Sequence, residues 1–149
     1  MAQTANAISL KDCKVEVSTN GSTWTDISGF ATSVEVGGGD RQTAEAYTFD
    51  GDTAIVASGK REPVEVTVKV VYTEGTSEPF ETVCAAYEAG SDFYVRWSPK
   101  GGQAGEFLFT SGKGIIKSLT YPQGEAGSGD PVLVEFTLVT PSITKSAAV

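Results

Sequence analysis

Histidine is absent from this chain, which removes the commonest general base, the base of a serine or cysteine triad and the commonest metal ligand. Two cysteines, Cys13 and Cys84, and nineteen acidic residues are what remains for chemistry. The cysteines lie far apart and form no CxxC motif, so each reads as a small buried hydrophobe rather than a disulfide partner. A zinc site would have to combine them with carboxylates, an ill-matched set. Asp50-Gly51-Asp52 has the look of part of a calcium loop, yet the full Asp-x-Asp-x-Asp-Gly spacing and its distal Glu are missing, and a plain turn accounts for it. Gly37-Gly38-Gly39 and Gly124 to Gly129 are glycine-rich without the Lys-Ser/Thr ending of a phosphate-binding loop, and read as hinges. Glu62 with Glu65 is the kind of carboxylate pair that acid–base work uses, but so acidic a chain makes chance pairs common. The expectation is a non-enzymatic protein with no cofactor and no metal.

Trp24, Tyr94, Trp97 and Tyr121 have two readings. Flat aromatics stack on sugar rings, so they could line a carbohydrate-binding face. Most of them alternate with polar neighbours on strands, which points to core packing instead.

The elements that would position these side chains are mostly strands. At 149 residues, one domain over 1–149 is expected. Cys13 to Ser18 alternates with the period of a half-buried strand, and Asn20-Gly21 signals a two-residue hairpin turn. Trp24 anchors the return strand Thr23 to Ile27, and Phe30 to Val36 is the next. Val64 to Tyr72 alternates most clearly, with Val64, Val66, Val68, Val70 and Tyr72 on one face. Four strands near the end follow: Asp92 to Ser98; Gly105 to Thr110 with Phe107 and Phe109; Gly114 to Tyr121 with Ile115, Leu119 and Tyr121; and Val132 to Thr140 with Val132, Val134, Phe136 and Leu138 inward. One helix is expected, with Ser77 as N-cap, Gly90 as stop and a stripe of Phe80, Val83, Cys84 and Tyr87. The natural architecture is mainly β: a sandwich or partly closed barrel with one flanking helix.

Three stretches fall outside that frame. Residues 1–9 read as a flexible arm and 141–149 as a small, polar tail. Residues 37–59 form a long excursion hinged by glycines, with arms Ala46 to Phe49 and Thr53 to Ala57 around Asp50-Gly51-Asp52. Tyr47, Phe49, Ile55 and Val56 make it too apolar for a linker, so it is expected to order only against a partner. The net charge of −8 disfavours a surface made to grip nucleic acid. It fits either simple solubility or a surface to which DNA must not stick. No apolar run approaches the roughly 20 residues of a membrane helix. Met1 to Leu10 lacks the basic and hydrophobic segments of a secretory signal, so a cytoplasmic origin is expected.

The run Val15-Glu16-Val17-Ser18-Thr19-Asn20-Gly21-Ser22-Thr23-Trp24-Thr25-Asp26-Ile27-Ser28-Gly29 resembles the opening hairpin of tail tube proteins of long-tailed bacteriophages. The order after it fits as well, from glycine-hinged loop to alternating strand, mid-chain helix and final strands. The resemblance covers about Leu10 to Thr140 in architecture, with no single diagnostic motif. It implies a β-sandwich subunit that closes into hexameric rings, stacked as a tube in the virion tail and assembled in the host cytoplasm. Its partners would be further copies of itself, a tape measure protein in the bore and tail-end proteins, with the DNA genome passing through unbound. It also implies that residues 41–58 are the ring-stacking loop, with Tyr47, Phe49, Ile55 and Val56 as its contacts. Glu65, Thr67 and Lys69, alternating away from the valine face, become candidates for the lumen; Lys69 would then need an acidic neighbour. Two other readings stay open, a β-sandwich binding module for carbohydrate or another ligand and the tube of a contractile injection system.

Overall fold

The computed structural model describes residues 2–149; Met1 of the expected N-terminal arm lies outside them. Strands run β1 (Lys14–Ser18), β2 (Thr25–Asp26), β3 (Ala31–Gly38), β4 (Arg41–Ala46), β5 (Ile55–Arg61), β6 (Val64–Val71), β7 (Asp92–Ser98), β8 (Phe107–Ser111), β9 (Gly114–Leu119), β10 (Leu133–Thr140) and β11 (Ile143–Ala147). The helix α1 (Pro79–Ala89) joins β6 to β7. Residues 2–9 are exposed and form neither helix nor strand.

Nine strands make one hydrogen-bonded antiparallel sheet, and β4 with β5 make a second, two-stranded one. The large sheet turns at β7. Its first residues pair with β9 (Asp92↔Ile115, Phe93↔Gly114), while the rest lies between β1 and β8. One half is therefore β3-β6-β10-β9, and the other is β2-β1-β7-β8-β11. The path ends on β3 and β11, which do not pair, so the barrel is not closed.

The core lies between the two halves. Val66, Val68, Val70, Val134, Phe136 and Leu138 enter from one side, and Val15, Val17, Phe93 and Val95 from the other. Phe93 and Phe136 meet edge to face at 6.0 Å. Each large side chain fully buried in this way contributes about 1.5–3 kcal/mol. The strict alternation of β6 and of β10 carries this core, as their period-2 patterns predict.

Several local expectations are corrected. The first hairpin has no two-residue turn: residues 19–24 form a longer loop before Thr25 pairs with Val17. The Asn20 side chain organises it, its Oδ1 accepting from the Ser22 and Thr23 N–H groups at 2.9 Å each. Glu78, not Ser77, occupies the N-cap position of α1 and makes no side-chain cap bond, and the buried helix face is Pro79, Val83 and Ala86. Small residues there let the helix lie close, while Phe80, Cys84 and Tyr87 sit half-buried at the margins. A bulge in β9, where Lys117 is the extra residue opposite Thr137 and Leu138 of β10, turns Ile116 inward and leaves Ile115 exposed, since a one-residue slip exchanges faces. Phe107 and Val132 are exposed too, the first covered by the Lys145 ammonium at 4.3 Å. Residues 141–149, expected as a tail, contain β11, which pairs with β8 along its whole length.

The glycine hinge is a sharp turn. Gly38 and Gly39 have φ of +73° and +76°, and a Cβ on Gly38 would lie 2.6 Å from the Pro63 carbonyl oxygen. Only glycine lets the chain leave β3 here beside the start of β6.

Candidate assembly surfaces

Beyond that turn the 37–59 excursion has a sheet of its own, contrary to expectation. Arg41–Ala46 and Ile55–Arg61 form an antiparallel ladder from Arg41↔Arg61 to Ala46↔Ile55. The arms thus lie nearer the hinge than the sequence pattern indicates, because an arm exposed on both faces needs no alternation. Tyr47 and Phe49 fall in the connecting loop, with Ile55 and Val56 at the start of β5. Their exposures are 76%, at least full, 58% and 65%, so this hairpin buries none of its large apolar groups against its own domain. Asp50 and Asp52 occupy its tip beside Gly51 (φ +90°), in an exposed turn.

Glu65, Thr67 and Lys69 share the outer face of the β3-β6-β10-β9 half, opposite the buried valines. There Thr67 meets Thr137 hydroxyl to hydroxyl at 3.1 Å. Lys69 does have an acidic neighbour, the directly opposed Glu135 at 3.8 Å. Lys117 of β9 reaches over β10 to donate to Glu65 at 2.6 Å. Both lysines of this face are therefore matched by glutamates, and Glu35 adds a further carboxylate opposite Thr67. The centre of this face is therefore hydroxyls and paired charge with an acidic excess, while Val71, Leu133, Val139 and Ile115 make its two ends apolar. At one margin β3 has no second neighbour among the described residues, so an eight-residue strand edge is free.

The opposite half carries an ion pair that sequence reasoning missed. Arg96 donates from Nε and Nη2 to the two carboxylate oxygens of Glu16, each at 3.0 Å. Its guanidinium also lies 4.4 Å above the Trp24 ring. Glu16 is only 8% exposed although it alternates as an outward residue on β1. The signal lay in a fully opposed Glu and Arg on strands that only the β1–β7 register brings together.

The remaining chemical candidates do not converge. Among the described residues no three of Asp, Glu and Cys could hold a metal ion. Glu62 accepts from Gln42 Nε2 at 3.2 Å, whereas Glu65 is engaged with Lys117. Of the aromatics, Trp97 stacks on Phe109 at 5.7 Å, Trp24 meets Tyr94 edge on at 6.5 Å, and Tyr121 is exposed beside α1. They do not form one sugar-binding row.

Both thiols are free and half-buried rather than fully buried. Burial pushes the Cys13 thiol up, and burial together with the Glu88 carboxylate does the same to Cys84. Only the thiolate reacts, so a raised pKa lowers reactivity at neutral pH and restores it as pH rises. Iodoacetamide labelling at pH 7.5 should therefore be slower than for free cysteine and should accelerate well above pH 9. Labelling as fast as free cysteine at neutral pH would contradict this environment.

No protein-family model matches the sequence, and no curated protein is similar to it. Solved structures are similar over nearly the whole chain. One is a chain of the extended sheath–tube complex of an extracellular contractile injection system, with TM-score 0.68 and 18% identity over 97% of this chain and 94% of that one. Another is from the tail of an empty gene transfer agent particle, described with C6 symmetry, with TM-score 0.66 and 12% identity over 99% and 100%. A third is the SPP1 tail tube, with TM-score 0.65 and 15% identity over 96% and 81%. This chain has the tail tube fold.

Proposed function

We propose that this protein is a structural, non-enzymatic tube subunit that self-assembles into stacked hexameric rings forming a phage tail tube. The observation that carries the reading is the β3-β6-β10-β9 half: an outer face polar at its centre, a core behind it and a free strand edge on β3. A long open edge invites pairing with another chain, and lateral joining into a ring removes it. Likeness to structures described as tubes and tails, along the whole chain, supports the same reading.

In the assembled tube the outer face with Glu65, Thr67 and Lys69 lines the lumen. Its lysines are neutralised by Glu135 and Glu65, so no uncompensated cation is left there to hold a phosphate. DNA passes without specific binding. The Tyr47, Phe49, Ile55 and Val56 hairpin contacts the adjacent ring. A tape measure protein and tail-end proteins complete the partners, and the chain resides in the virion tail after assembly in the host cytoplasm. A tube subunit of a contractile injection system is the second reading, favoured by the likeness to a sheath–tube complex. A sheath partner that co-sediments with assembled tubes separates it from the first.

Nothing in either reading requires a cofactor. The purified chain should sediment as large assemblies above a threshold concentration in chelator-containing buffer. Assemblies that dissolve reversibly on chelation would contradict a metal-free subunit and return the Asp50–Asp52 turn as a calcium site.

A further inference from the structure

The hairpin base holds a charge arrangement that makes no sense within one copy. Arg41 and Arg61 stand directly opposite one another across the β4–β5 ladder, with Lys60 next to them. Like charges so placed repel. All three side chains are exposed, and among the described residues none lies within ion-pair distance of a carboxylate. Arg41 donates only to the Gly59 carbonyl, at 3.2 Å. Arg61 also borders an open, largely apolar groove with Pro63, Ile115 and Val139, whose one carboxylate, Asp92, is held by Lys113 at 3.3 Å. On a chain of net charge −8, this cluster calls for an anionic partner with an apolar component.

The same chain carries such a surface elsewhere. Between α1 and the segment after β6 lies a groove floored by Tyr72, Phe80 and Cys84 and rimmed by Glu74, Glu81 and Glu88. Exposed Tyr121 adjoins it, close to Cys84 and Glu88. Residues 72–91 and 118–132 contain no Lys or Arg, so nothing in those segments neutralises the rim. The hairpin base and the groove are complementary in charge, and both combine charge with apolar surface.

We propose that the hairpin base of one copy docks on the α1 groove of the next, with Arg41 and Arg61 facing Glu81 and Glu88. This inference rests on the tube reading. A contact between two different surfaces of identical subunits is heterologous, and it propagates head to tail as a stack must. It also sets polarity, because base against base or groove against groove opposes like charges.

The test is a charge-reversal cycle on the full-length protein, with thermal melts confirming that each variant is folded. R41E/R61E and E81K/E88K should each raise the threshold concentration for assembly by roughly tenfold or more, and the quadruple variant should recover most of the loss. Wild-type assembly should also weaken as salt is raised. If wild type forms tubes and R41E/R61E forms them equally well, the docking is wrong while the tube reading stands. If the wild-type chain stays monomeric at every concentration, both fall. Loss of assembly in R41E/R61E with no rescue in the quadruple variant overturns the pairing; if R41E/R61E also loses binding to a duplex DNA probe, the cluster is assigned to nucleic acid.

Discussion

Replacing Thr43 to Ala57 with a short Gly-Ser link is expected to leave a folded monomer that no longer builds tubes. The hairpin contributes nothing to the core between the sheet halves, and its residues are exposed along both arms. Its removal should therefore leave the melting temperature of the monomer nearly unchanged. Tyr47, Phe49, Ile55 and Val56 have no cover within the subunit, and full burial of each against a neighbour is worth about 1.5–3 kcal/mol. In the proposed stack of rings, losing four such contacts at every subunit would remove most of the drive to assemble. A two-stranded ladder alone is marginal in water, so its amides should exchange rapidly in the monomer and slowly in the tube. Normal polymerisation of the truncated chain would show that this hairpin is not the stacking element.

Arg96→Ala is expected to act in the opposite way, on the fold itself. It strips Glu16, 8% exposed, of its two charge-assisted hydrogen bonds and uncovers the Trp24 ring. Breaking a buried pair from one side costs about 3–5 kcal/mol. The Arg96 side chain is 26% exposed, so solvent screening places this one nearer about 2–4 kcal/mol. Lys14, 3.9 Å from Glu16, offers only a weak substitute. The double variant Glu16→Met with Arg96→Met should recover much of the stability, because no charge is then left buried. Urea denaturation would check both. A single variant as stable as wild type would mean that water reaches Glu16 freely.

These two sites show what the sequence made legible. The valine strand β6 and the alternating β10 could be read directly, because one buried face imposes a period of two. The same alternation put Glu65, Thr67 and Lys69 on the face opposite the valines. The Glu16–Arg96 pair could not be read, since it depends on the register of strands eighty residues apart. Exposed hairpin arms were misplaced for a related reason: with no buried face, β4 and β5 carry no alternation to mark their ends. The bulge that exchanges Ile115 for Ile116, and the pairing that makes 143–147 a strand, are also tertiary facts without a local signature. For α1, the apolar residues were recognised but the centre of their arc was not. Small residues set the closest approach, and bulk alone pointed to the margins.

The free β3 edge and the face beside it are proposed to serve lateral closure into rings that stack. Negative-stain micrographs of the purified, full-length protein at rising concentration test it most directly. Rings with a central hole and, at higher concentration, tubes of uniform width are expected. Discrete monomers at every concentration would contradict it.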